Sequence, residues 1–344
     1  MKVKVGLVLL LVGAQAVSVL AWDYAGHRAV NLLALETLPA GFPAFVKTPE
    51  ARERIGFLAG EPDRWRNIND DQSLNHCNGP DHYLDLEELE LFQLTPETLP
   101  IFRYDFAQKI GVERAAHPDR FPPLDPLKNK DHTRELVGFA PWAITEYQGR
   151  LRSAFSYLKA FQEYGGTPEE IGNAQQNIIY IMALQGHFVG DCAQPLHVTK
   201  HHHGWVGDNP GGFTTNRGFH SWIDGGFLKK TGPLDVTSLA QKIKAAQIVG
   251  NPFVEGDTFR AVVAYLLETE KFIVPLYQLE KAGKLAPENP ASREGRAFLE
   301  GQLVRGGQML RNLWYSAWQQ ATEDQYLIRQ LQERQASGKS EGQK

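Results

Sequence analysis

His187-Phe188-Val189-Gly190-Asp191-Cys192-Ala193-Gln194-Pro195-Leu196-His197 sets a histidine and an aspartate four residues apart, then a second histidine six residues further on. The apolar residues ahead of it, Ile178, Ile179, Ile181, Met182 and Leu184, predict a buried helix on which His187 and Asp191 share one face, a turn apart. Thr167-Pro168-Glu169-Glu170 resembles a capping box at the start of that helix. Pro195 has no backbone N–H and ends it, so His197 need not follow the same axis. Imidazole and carboxylate donors together suit zinc.

The same spacing returns in His220-Ser221-Trp222-Ile223-Asp224, after a glycine-rich turn. One His-x-x-x-Asp pair is most simply a satisfied core histidine. Two pairs with His197 between them weaken that explanation. Around them the pattern is helical: Trp142 to Tyr164, Phe259 to Leu279 and Arg296 to Arg329 all carry apolar residues at helical intervals. The expected architecture is all-α, a single mainly helical domain over residues 22–330. Six prolines between residues 86 and 136 exclude one long helix there and predict an irregular excursion. The polar tail, residues 331–344, is expected to be disordered. No internal repeat, phosphate-binding glycine loop or Gly-x-Ser-x-Gly elbow is present.

Residues 1–21 combine Lys2 and Lys4 with an apolar run from Val5 to Val12 and small residues before Trp22. This predicts a signal peptide cleaved after Ala21, and a secreted or periplasmic protein. The run is too short to cross a bilayer comfortably, and no later stretch could. The formal charge is −4, and losing Lys2 and Lys4 makes it −6. That balance argues against a broad basic DNA-binding face. It does not exclude a phosphate substrate, because three divalent ions would neutralise it at one spot. The two cysteines, Cys77 and Cys192, either pair or act as metal-binding thiolates.

Smaller candidates lie along the chain. Cleavage would leave Trp22 with a free amine that can chelate a metal together with its own carbonyl, and His27 is close enough to join; a packed Trp22 and a helix-starting His27 are the simpler alternative. Asp63 and Arg66 are three apart, as a metal carboxylate and a phosphate-binding guanidinium on one helical turn would be. The bland alternative is a surface ion pair. His82-Tyr83-Leu84-Asp85 alternates polar and apolar residues. His201-His202-His203 is expected to be a solvated loop, since consecutive side chains diverge.

Taken together, Trp22 with His27, Asp63 with Arg66, His82-Tyr83-Leu84-Asp85, His187 to His197, and His220 with Asp224 resemble the zinc-dependent single-strand nucleases of the P-one and S-one type, within the phospholipase C/nuclease superfamily. The resemblance runs from Trp22 to about Trp318. It implies a trinuclear zinc cleft: one ion on Asp63, His82, His187 and Asp191; a second on His197, His220 and Asp224; a third on the amine and carbonyl of Trp22, His27 and a bridging Asp191. It implies a secreted phosphodiesterase, an endonuclease hydrolysing single-stranded DNA and RNA to 5′-phosphate products, with 3′-nucleotidase activity. Asp63 would hold the attacking water in line, Arg66 would stabilise phosphoryl charge, Tyr83 would stack on a base and Asp85 would bond its edge. The rivals are a zinc phospholipase C and a non-catalytic, zinc-stabilised secreted protein. This chain departs from the pattern where Gly211-Gly212 is followed by Phe213 instead of the usual Asn, and its excursion before His187 is longer.

Overall fold

Thr167 opens the helix Pro168–Asp191 by the predicted reciprocal cap. Its hydroxyl accepts from the Glu170 N–H at 3.2 Å, and the Glu170 carboxylate accepts from the Thr167 N–H at 2.8 Å. Such a cap satisfies two of the donors that a helix start leaves without partners. The helix then runs through Ile178, Ile179, Met182 and Ala183, all buried, to Asp191.

The computed structural model describes residues 22–68 and 71–341, with side chains to residue 337. In chain order, α1 (Tyr24–Glu36), α2 (Pro49–Leu58), α3 (Glu61–Arg66) and α4 (Gln72–Asn78) lead through short 3-10 turns to α5 (Arg103–Ala116), α6 (Ala140–Glu163) and α7, the helix just described. The second half holds α8 (Phe219–Ser221), which continues through a π-helical turn at Trp222–Gly226 into α9 (Phe227–Thr231). It then holds α10 (Val236–Ala240), α11 (Asp257–Glu270), α12 (Ile273–Lys281), α13 (Ser292–Gln319) and α14 (Gln325–Glu341). The described chain is thus all-helical, one domain without a β-strand; its single antiparallel bridge joins Leu84 to Gly138. The proposed leader, residues 1–21, lies outside the described residues.

The core is α6, α7 and α13 packed on one another, with α1 laid against α7 and α13 and α2 closing over α1 and α7. α13 buries Leu299, Leu303, Gly306, Leu310, Leu313 and Ala317, a helical stripe. Each large apolar side chain so buried contributes about 1.5–3 kcal/mol. Two glycines on α7 set how close α1 comes. A Cβ at Gly186 would overlap Asn31 Oδ1, and one at Gly190 would lie 3.1 Å from His27 Nδ1. The Asn31 amide donates at 3.0 Å to both Ile55 O and Ala183 O, tying α1 to α2 and α7.

Three expectations are corrected. The proline-rich excursion contains a 14-residue helix, α5, fitted between Pro100 and Pro118 and anchored through buried Phe106, whose ring stacks on Trp142 at 4.3 Å. The two C-terminal helices each divide. Pro275 would clash with the backbone one turn earlier in a continuous helix, so α11 and α12 separate near Phe272. Asp324 caps a new helix by accepting from the Leu327 N–H, which separates α14 from α13. Finally, the chain beyond residue 330 is helical as far as Glu341, not disordered. Ile328 and Leu331 are buried there against Ala160, and Arg334 pairs with Glu170 at 2.8 Å. A composition polar on average hid one apolar stripe.

Candidate metal centre

Six separate segments deliver the site. α1 brings His27 from its first turn and α3 brings Asp63 and Arg66. The 3-10 turn Gly79–His82 brings His82, and the last turn of α7 brings His187 and Asp191. The turn Pro195–His197 brings His197, and α8 with the π-helical turn that continues it brings His220 and Asp224. The segment after His82 is laced between two others: Leu84 N–H donates to His197 O at 3.0 Å and Asp85 N–H to Val137 O at 2.8 Å. Gly138 makes this possible, because it sits at φ +105° and any Cβ there would overlap Tyr83 O.

The side chains converge into three buried groups: Asp63, His82 and His187; His27, His187 and Asp191; and His197, His220 and Asp224. Within each group the ligating atoms lie within 4.8 Å of one another, and each group could hold a metal ion. In the first, His82 Nδ1 is 2.9 Å from Asp191 Oδ2, 3.0 Å from His187 Nε2 and 3.9 Å from Asp63 Oδ1. His187 Nε2 is 3.3 Å from Asp191 Oδ2 and 3.8 Å from Asp63 Oδ1. Donors about 2.0–2.2 Å from a tetrahedral ion stand roughly 3.3–3.6 Å apart, so these four atoms bracket such an ion. His27 Nε2 lies 3.4 Å from the other Asp191 oxygen, Oδ1, and 4.0 Å from Asp63 Oδ2. In the third group, His220 Nε2 is 3.0 Å from His197 Nε2 and 3.2 Å from Asp224 Oδ2.

The surrounding hydrogen bonds orient these donors. His187 Nδ1 lies 2.6 Å from Ala59 O and His197 Nδ1 lies 2.8 Å from His82 O. A carbonyl only accepts, so each Nδ1 carries the proton and each Nε2 turns its lone pair inward. Gln194 Nε2 donates to Asp224 Oδ1 at 2.7 Å, leaving Oδ2 toward His220. Inside, both nitrogens of His27, Asp191 Oδ1 and Asp224 Oδ2 are buried without hydrogen-bond partners. Buried polar atoms are normally satisfied, and so many orphans of ligand type in one place fit cations among them.

Electrostatics agree. Burial pushes the Asp63 carboxyl up to about 6, and holds Asp191 and Asp224 well above the usual carboxylate range, with Asp63 adding repulsion at Asp191. Burial also lowers His187 and His197 to about 3, and His27, His82 and His220 well below their ordinary value. Neutral imidazole is the ligating form, and a divalent ion would draw the carboxylates back to their charged state.

The structure brings together every expected side-chain ligand: His27, Asp63, His82, His187, Asp191, His197, His220 and Asp224. His187 faces two groups, not one. Trp22 enters beside these groups: its indole donates to Gly190 O at 2.9 Å and the next residue's N–H donates to Asp224 O at 3.0 Å. Arg66 Nε sits 2.9 Å from Asp63 Oδ1. Tyr83 is half-buried at the edge, and Asp85 faces a histidine, His202, at 3.6 Å. Burial lowers the His202 value, but the nearby Asp85 carboxylate and the bond to Thr199 O raise it overall.

Two expectations change here. His201-His202-His203 is no solvated loop: His201 is buried, and the rings of His202 and His203 lie 6.2 and 5.4 Å from that of His220. Divergence of neighbouring side chains removed only His201. Cys77 and Cys192 are both free, one exposed and one buried, and neither belongs to a metal group among the described residues. Gln194 and Ala59 O were missed; the Gln just before Pro195 was the only sequence signal. Comparison with known proteins finds no family model that matches the chain and no curated protein that matches it.

Proposed function

We propose that this chain is a zinc-dependent phosphodiesterase of the single-strand nuclease type, exported by its leader, cutting single-stranded DNA and RNA to 5′-phosphate products and removing 3′-phosphates from nucleotides. The observation that carries it is one buried carboxylate, Asp191, standing between two His/Asp groups, with Arg66 fixed on the adjoining Asp63. Donor chemistry favours zinc over magnesium or calcium, whose sites are mainly oxygen. Asp63, His82, His187 and Asp191 would hold one ion, His27 and Asp191 with the Trp22 amine another, and His197, His220 and Asp224 a third.

Bound divalent ions supply Lewis acidity, which makes water acidic near neutral pH and offsets charge on phosphoryl oxygens. The residues do the rest. Asp63 accepts a hydrogen bond from the attacking water and aligns it with phosphorus. Water oxygen bonds to phosphorus as the bond to the 3′ oxygen breaks; the attacking water gives one proton up to solvent and the leaving oxygen takes one from it. Arg66, braced by Asp63, keeps a fixed positive charge beside the phosphoryl oxygens, where charge grows in the transition state. Tyr83 offers a ring for stacking, which any unpaired base accepts.

The test is elemental analysis of the mature protein, paired with hydrolysis of single-stranded DNA and of phosphatidylcholine before and after chelation. Zinc near three per chain with chelator-sensitive nucleotide release supports the proposal. Lipid hydrolysis without nucleotide release would make it a phospholipase C. Full zinc occupancy with neither activity would make it a metal-stabilised, non-catalytic protein.

A further inference from the structure

The loop after His197 carries a second polar group that the metal ligands do not use. His201 is turned away and pinned: its ring stacks on Trp205 at 3.9 Å, and its Nδ1 accepts from the Val206 N–H at 3.1 Å. The Tyr277 hydroxyl donates to His201 O at 2.5 Å. Gly204, at φ +88°, lies so close to the Thr215 backbone that a Cβ would overlap it. With the loop fixed in this way, His202 and His203 both face His220, their ring centres 4.6 Å apart.

His202 Nδ1 lies 3.1 Å from Thr199 O and 3.6 Å from Asp85 Oδ1. Both partners accept, so Nδ1 bears a proton and Nε2 occupies the opposite edge of the ring. His203 Nδ1 is buried with no partner, an unsatisfied atom in a polar setting. Of the nearby acids, Glu87 is already engaged by the Thr199 hydroxyl and the Lys200 N–H.

We propose that Asp85 is a positioning residue acting through His202, and that His202 and His203 form a subsite at the edge of the His197–His220–Asp224 group for a phosphate oxygen of the strand next to the scissile bond. This deepens the phosphodiesterase reading and rests on it. The resemblance gave Asp85 a direct bond to a base edge; here an imidazole stands on that carboxylate. Two adjoining imidazoles, one with a ring nitrogen left unpartnered, suit an anionic oxygen, which every nucleotide presents whatever its base.

The experiment is a double-mutant cycle on the full mature chain with D85N, H202A and the D85N/H202A pair. Its readouts are KM and kcat on oligothymidylate, calorimetric binding of a phosphorothioate-linked oligothymidylate, and metal content. Each single variant is expected to weaken binding and raise KM about tenfold, the scale of one lost charge-assisted hydrogen bond, with KM moving more than kcat and with metal retained. The pair is expected to be no worse than H202A, and H202Q, which restores a donor at that reach, to recover part of the loss. A D85N penalty that persists in the H202A background would overturn the relay, because Asp85 would then touch substrate itself. Loss of metal in a folded H202A protein would make the histidine a ligand, and unchanged binding in every variant would abolish the subsite. Failure of the parent reading looks different: the zinc-loaded wild type would neither hydrolyse nor bind the oligonucleotide.

Discussion

Asp191 turns one carboxylate oxygen to His82 at 2.9 Å and the other to His27 at 3.4 Å, so a single buried side chain borders two of the three His/Asp groups. Asp224 serves only one. D191A is therefore expected to lower zinc content by more than one ion per chain and D224A by about one. Elemental analysis of the two proteins, purified side by side, makes the comparison. Equal losses would mean that Asp191 does not bridge.

Trp22 enters the site through its indole bond to Gly190 O, next to Asp191. A protein that retains one residue before Trp22 has an amide where the proposed third ion would need the Trp22 amine, and an amide nitrogen is a poor metal ligand. The expected outcome is one ion fewer and strongly reduced phosphodiesterase activity, read by elemental analysis beside an intact-mass check of the N-terminus. Full activity with three ions would remove Trp22 from the site.

In the proposed phosphodiesterase, Arg66, held 2.9 Å from Asp63 Oδ1, acts on transition-state charge without ligating a metal. R66A should lower kcat on single-stranded DNA by about 10²–10³, the usual cost of one such donor, while zinc content stays near wild type. Assaying both on one preparation separates loss of catalysis from loss of metal.

Gly186 lies where α1 crosses α7. G186A forces a methyl group onto Asn31 Oδ1 and into the bonds that Asn31 makes to Ile55 O and Ala183 O. A destabilisation of about 1–3 kcal/mol is expected from overpacking, together with weaker zinc binding as His27 moves away from His187. Thermal unfolding with and without added zinc tests both parts.

Glu170 reports on α14. Its bond from Arg334, helped by the Thr167 N–H, pulls the carboxyl down to about 2 from an ordinary value of 4.5. A carboxylate depressed in the folded state stabilises above its unfolded value, and that contribution is lost as pH falls through the folded one. The Tm difference between wild type and E170Q should therefore be present at pH 6 and shrink between about pH 4.5 and pH 2. A constant difference would mean that the charge of the Glu170 carboxylate plays no part.

The sequence by itself determined the local parts: the capped α7 with His187 and Asp191 one turn apart, the stop at Pro195, the second pair at His220 and Asp224, and an all-helical chain. These depend on periodicity, capping and proline chemistry, which act over a few residues. It misjudged the tail and the proline-rich excursion because average polarity and proline count conceal a single buried stripe, such as Ile328 with Leu331 or Phe106 with Ile110. Only the tertiary structure decided that His27, from the first turn of α1, stacks on His187 at 3.8 Å; that required Gly186 and Gly190 to let two helices touch. It also decided that His202 meets Asp85 while His201 turns away, since the direction of a loop side chain is set by what packs behind it, here Trp205 and Tyr277. Spacing along the chain can nominate ligands. Their convergence is a matter of packing between segments more than a hundred residues apart.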